Sequence, residues 1–364
     1  MVYQPDLSDR HGSEILKSKG QTAAQAHELG HLQGFDYLRV FFMMMVLMAH
    51  GDFFRDLAVK REAVVGVGVN AWDYLFFHVQ STAVPSFILM SMVLFALKTA
   101  TWGQCVDRVK KLAYLYGFWV GAWVLYSKVR PAPGIYEFLE FAFRGGGWLF
   151  YTFTVLMLLT PLCWLAVKLG PKGRWVGLAV SALAVLGTFL YLRMGFKWTH
   201  RSYYWVPTCF VMMPFVAVLL NPHLKLLQTS SRVRWKWVGI LCLLSLASAW
   251  FEWRLAAPYD EITPFRTWLP KHARLSAQFG AVAMIVGSLG VKSRANSVVR
   301  FFAKNSLGVY CIHPFVLRGI MEPVKRLVNP VAPDLAILAG CVAAAVICSL
   351  VSEFLRRAFG HRLI

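Results

Sequence analysis

The sequence predicts an all-α polytopic membrane protein, a bundle of about ten transmembrane helices with both termini in the cytoplasm. Three observations carry that prediction. Of the 364 residues, 57% are apolar and 15% charged, where a soluble domain carries about 25% charged residues, so the chain cannot cover itself with polar surface. The mean hydropathy is +0.52. Apolar stretches of about 20 residues, enough to cross a roughly 30 Å hydrocarbon core, recur from Asp36 onward. The segments between them alternate between strongly basic and mixed-charge.

Residues 1–35 are polar, with no apolar h-region and no small-residue cleavage site, and are expected to form a cytoplasmic tail. The crossing stretches follow at 36–54, 74–97, 110–127, 148–168, 175–193, 203–221, 236–254, 275–291, 299–320 and 335–355. They make one transmembrane domain over 36–355, and 356–364 is a short basic cytoplasmic tail. The connections 98–111, 168–174, 222–236 and 292–304 hold many Lys and Arg and a single acid, Asp107. Short basic loops stay cytoplasmic, which sets the orientation. The net charge of +20 therefore reads as topology rather than as a nucleic-acid footprint. The seven cysteines show no C-x-x-C pair and no zinc spacing, and read as buried free thiols; no metal is expected. No repeat appears, and no outer loop is long enough to fold as a domain. Any chemistry must lie within the bundle or at its mouths.

Ionisable groups inside spanning helices are costly and mark candidate sites. The first helix carries Arg39 and His50. Eleven residues at 100° each place them on one face, about 16 Å apart along the axis. One reading is a functional stripe; the other is an Arg39 that snorkels or pairs with Asp36, with His50 at the opposite interface. In the ninth stretch Tyr310 and His313 share a face, and Pro314 frees the Tyr310 carbonyl and bends the helix. The bland reading there is a kink with a satisfied histidine. The second stretch holds His78, an interfacial or catalytic imidazole, and Ser91. Arg108, Lys110 and Lys111 introduce the third from the cytoplasmic side, either enforcing topology or holding phosphates. Glu252, near the outer end of the seventh, needs a partner, and Arg254 at i+2 is a poor one.

Competing motifs are weaker. His31 and Asp36 have an H-x4-D spacing but run straight into a spanning helix. No G-x-S-x-G, P-loop or dinucleotide-binding turn is present. Scattered histidines are thin support for haem.

Arg39-x10-His50, Pro85-x-Phe87-x3-Ser91, Arg108-x2-Lys111, Gly147-Trp148-Leu149-Phe150-Tyr151 with Thr160-Pro161, and the Ser306–Pro314 run together resemble the acyltransferase-3 family of integral membrane acyltransferases, over nearly all of 36–355. The resemblance implies a ten-helix bundle in a bacterial inner membrane. It would take an acyl group, usually acetyl, from cytoplasmic acyl-CoA to a sugar hydroxyl of an exopolysaccharide, O-antigen or similar acceptor, alongside other polysaccharide-assembly proteins. It also implies site roles for Arg39 and His50, and a donor-end basic pair at Arg108 and Lys111. This chain departs from the family pattern at Met92, where glycine is common, at Lys111, where arginine is, and in the order of the fourth-helix motif. It ends at Ile364, and so is expected to deliver its acyl group without the extra extracytoplasmic domain of some members.

The expected mechanism has Arg39, Arg108, Lys110 and Lys111 holding the charged end of acyl-CoA, with no permanently bound cofactor, and His50 as general base for a direct transfer. An acyl-histidine is the covalent alternative. Tyr310, Ser91 and Trp148 are the oxyanion donors on offer. Two other functions compete: a transporter or export accessory for a glycan or lipid-linked oligosaccharide, and a noncatalytic sensor or assembly subunit.

Overall fold

The structure, a computed structural model, describes residues 32–51, 71–98, 101–127, 134–144, 150–199, 206–256, 272–328 and 333–360. The N-terminal tail through His31, and Trp148, lie outside the described residues. Among the described residues the chain is helical with no strand. The helices are α1 (Gln33–His50), α2 (Ala71–Leu97), α3 (Trp102–Ser127), α4 (Ile135–Phe143), α5 (Tyr151–Lys168), α6 (Pro171–Thr199), α7 (Met212–Leu220), α8 (Leu224–Thr229), α9 (Ser231–Ala256), α10 (Leu275–Ser288), α11 (Ser297–Val328) and α12 (Pro333–Phe359). Single 3₁₀ turns at Pro207–Phe210 and Asn221–His223 flank α7.

Over its described residues, every stretch expected to cross the membrane overlaps one of these helices or the Pro-interrupted run Pro207–Thr229. By length and composition, five segments suffice to span: His78–Leu97, Tyr151–Lys168, Pro171–Leu192, Pro207–Thr229 and Ile337–Phe359. The remaining long helices carry charges at their ends, such as Asp36 and Arg39 on α1 or Arg232, Arg234 and Lys236 on α9. Those charges dilute their apolar windows.

Several boundaries differ from expectation, and local chemistry explains them. α3 begins at Trp102 rather than near 110, because Thr101 and Gln104 form a reciprocal capping box. The Gln104 N–H donates to Thr101 Oγ1 at 3.3 Å, and the Thr101 N–H donates to Gln104 Oε1 at 3.1 Å. Arg108, Lys110 and Lys111 therefore lie inside the helix instead of leading into it. Most of 222–236, expected as a loop, is helix, with Ser230 as the turn between α8 and α9. Asn296 caps α11 through Val299 N–H at 2.8 Å, placing Arg300 and Lys304 on that helix. The terminal helix continues to Phe359, so the expected basic tail is helical in its first residues. Cys242 is exposed, unlike the other six free cysteines.

α4 was not expected. It follows Gly134 and exposes Ile135, Phe138, Leu139 and Phe143, the pattern of a helix lying in a membrane interface. Tyr116 Oη donates to Ala142 O, and Thr154 Oγ1 donates to Phe143 O at 3.1 Å, tying α4 to α3 and α5.

Two apolar cores organise the bundle, and α1 belongs to both. Phe35, Leu38 and Phe42 pack with residues of α2, α5, α6, α7 and α10. Met43 and Leu47 pack with residues of α3, α5, α11 and α12. Phe87 of α2 touches both cores, so the seam between them runs along α1. Close approach at this helix depends on Gly34, where a Cβ would lie 1.9 Å from Ser288 O of α10. Gly34→Ala is expected to lower the melting temperature of the detergent-solubilised protein by an overpacking cost of about 1–3 kcal/mol. Gly117→Ala, with nothing within 4 Å of the new Cβ among the described residues, is expected to leave it unchanged or raised.

Candidate active site

A cavity of about 540 Å³ lies in the seam between the two cores. Arg39, Lys98, Arg108 and Lys304 line it, each close to a helix end, and give it a cationic mouth. The remaining wall is mainly apolar, including Val46, Val84, Phe87, Leu94, Phe153 and Leu156, with Ser91, Thr152, Ser306 and Tyr310 as polar points. A second space of about 20 Å³ shares Val46, Phe87, Ser306 and Tyr310 with the first and adds Met43, Leu47, Val309 and His313. The arrangement is a wide cationic chamber with a narrow apolar space beside it, at which an imidazole stands.

Each cation is held differently. Arg39 Nη1 pairs with Asp36 Oδ1 at 3.3 Å while its side chain, 29% exposed, lines the cavity. Arg108 Nη2 donates to Ser91 Oγ at 2.6 Å and Ser91 O at 3.3 Å, and its guanidinium lies 4.9 Å from the Phe95 ring centroid. Its Nε has no hydrogen-bond partner among the described residues. Lys304 Nζ is 3.8 Å from Glu353 Oε2 of α12. Lys110 and Lys111 are exposed and are not among the residues lining the cavity; Lys98 and Lys304, read in the sequence only as loop charges, are.

At the other end, His50 terminates α1 and is exposed, and its ring centroid lies 5.1 Å from that of buried His313. His313 Nδ1 is 2.8 Å from Tyr310 O, the carbonyl that Pro314 leaves without its helical donor, and 3.2 Å from Val309 O. A carbonyl only accepts, so Nδ1 carries the proton and Nε2 carries the lone pair. The Tyr310 hydroxyl donates to Thr152 Oγ1 at 2.9 Å, an α5 residue that sequence spacing gave no reason to single out.

A separate buried network takes Glu252 and His78. Arg274, fully buried just before α10, donates from Nε to Glu252 Oε2 at 3.0 Å and places Nη2 3.1 Å from His78 Nδ1. Glu252 Oε1 accepts the Ser276 N–H at 3.0 Å, and Oε2 also accepts the Ser276 hydroxyl. Nearby in sequence, His272 Nε2 is 3.0 Å from Tyr151 Oη. Neither Arg274 nor His272 stood out in the sequence, because both fall in a segment read as an outer connection.

Apolar helices long enough to span a bilayer, with a cavity among them lined by four cations and by hydroxyl groups, define a multi-pass membrane protein. The family model described as an acyltransferase domain matches residues 32–353. The chain therefore belongs to the acyltransferase-3 family and is a membrane acyltransferase. Comparison with curated proteins and with solved structures finds no match.

Proposed function

We propose that the chain moves an acyl group, acetyl in the first instance, from coenzyme A in the cytoplasm to a hydroxyl of a cell-surface glycan, a polysaccharide or a lipid-linked oligosaccharide. The observation that carries this reading is the seam cavity. Its cationic mouth suits the phosphates of a coenzyme, and its apolar wall suits an extended pantetheine arm. The narrow space beside it leads to His313, which faces His50. His50, exposed at the end of α1, is available to an acceptor arriving from outside and removes its hydroxyl proton as the oxygen attacks the thioester. In this reading all ten stretches cross a bacterial inner membrane and both termini are cytoplasmic, an orientation supported by the basic connections.

The test is the O-acyl content, by NMR, of surface polysaccharide from cells with and without the protein. O-acyl resonances that require the protein support transfer and identify the sugar position. Unchanged acylation with reduced polysaccharide export would move the assignment to transport.

The donor end makes its own prediction. Arg108→Ala is expected to raise the KM for acyl-CoA about tenfold or more, since a charge-assisted contact to phosphate contributes on the order of 1.5–3 kcal/mol. The same change at Lys110, outside the cavity lining, is expected to alter KM less than about threefold. Initial rates over a range of acyl-CoA concentrations in membrane vesicles distinguish the two.

A further inference from the structure

His313 is 2% exposed, and its Nε2 has no hydrogen-bond partner among the described residues. Such an atom costs free energy unless something meets it there. The cost is built in by the helix itself. Pro314 removes the amide that would have bonded the Tyr310 carbonyl, that carbonyl holds Nδ1–H at 2.8 Å, and the ring is thereby locked with its lone pair on Nε2. His313, and not His50, is among the residues lining the small space that adjoins the seam cavity. The two rings stand 5.1 Å apart between centroids, so that a rotation of the exposed His50 ring or one bridging water joins them at His313 Nε2.

We infer that His50 and His313 form a two-imidazole relay, resting on the acyl-transfer reading, in which His313 delivers the proton to the departing thiolate of coenzyme A. Overall, the acceptor O–H and the thioester C–S bond break, and an ester C–O bond and a thiol S–H bond form. His50 takes the hydroxyl proton on the nitrogen that bears its lone pair and releases the proton of its other nitrogen to His313 Nε2. His313, protonated on both nitrogens, gives the Nε2 proton to sulfur as the C–S bond opens. Both rings end neutral. His313 recovers its original tautomer because Tyr310 O keeps Nδ1–H in place, whereas His50 ends in the opposite tautomer and exchanges protons with solvent at its exposed position. The division of labour fits the burial: the exposed ring meets the acceptor, and the buried ring meets the donor.

The experiment uses inside-out membrane vesicles holding the full chain, with acetyl-CoA labelled in the acetyl group added outside and polysaccharide from cells lacking the protein trapped in the lumen as acceptor. His313→Asn keeps an amide N–H where Nδ1–H stood and so retains the bond to Tyr310 O, but has no atom at Nε2. Its kcat is expected to fall about 100-fold or more, with KM for acetyl-CoA within about threefold of wild type. A kcat within about threefold of wild type overturns the relay. A second measurement needs no variant: the wild type is expected to show a normal solvent deuterium isotope effect whose dependence on deuterium fraction is curved, because more than one proton moves. A linear dependence, or no effect, also overturns the inference. Wild-type vesicles that transfer no label to polysaccharide would remove the glycan-acylation reading, and the relay with it; label transfer that survives His313→Asn removes the relay alone.

Discussion

His50→Ala is expected to abolish O-acylation of the surface polysaccharide while the protein accumulates normally in the membrane. Loss of a positioned general base costs about 10²–10⁴ in rate, enough to erase an O-acyl NMR signal that depends on this protein. The structural cost is expected to be small, because His50 is the last residue of α1, is exposed, and is followed by a turn in which the Gly51 N–H is held by Leu47 O. Substitutions at such positions usually change stability by no more than about 0.5 kcal/mol. A folded, abundant, inactive variant is thus the predicted outcome. Undiminished acylation in a level-matched comparison would refute both the direct and the covalent versions of histidine chemistry at this position.

That prediction rests on a feature visible in the bare sequence, and it shows which features were. A charge or imidazole within an apolar run is costly wherever the helices pack, so Arg39, His50 and His313 could be singled out without a fold. The helical stretches were legible for the same reason: a run of about 20 apolar residues has few other uses. What packing decides was not legible. Lys98 and Lys304 look like any loop charge until α1, α2, α3 and α11 are assembled around one cavity. Arg108 meets Ser91 across 17 positions, a contact no local pattern signals. Other misses had signals that a stronger one masked. The Thr101-x2-Gln104 capping box and the Asn296 cap are written in the sequence, but the apolar windows beside them open only where the charges stop. α4 was hidden similarly: Ile135, Phe138, Leu139 and Ala142 repeat at helical spacing, in a stretch too short to cross a membrane.

The largest stability effect is expected at the Glu252–Arg274 pair. Glu252→Ala is expected to destabilise the detergent-solubilised protein by about 3–5 kcal/mol, because it strips a fully buried guanidinium of its carboxylate. The same change takes the acceptor from both the N–H and the hydroxyl of Ser276, at the start of α10. The pair joins α9 to the head of α10 and, through Arg274 Nη2, to His78 of α2. Loosening it should therefore lower the thermal midpoint as one cooperative shift. Whether the pair only holds helices together or also meets the acceptor is decided by a double variant. Glu252→Gln with Arg274→Met removes both charges together and keeps a carbonyl oxygen for the Ser276 N–H, and replacing a buried ion pair by neutral groups of similar volume is often close to neutral. Both carboxylate oxygens are already engaged within the protein, Oε1 by Ser276 N and Oε2 by Arg274 Nε and Ser276 Oγ. That occupancy favours the structural role, so the double variant is expected to recover most of the lost stability and the acyl transfer with it. Recovery of the melting temperature without recovery of transfer would instead make Glu252 and Arg274 part of the acceptor site.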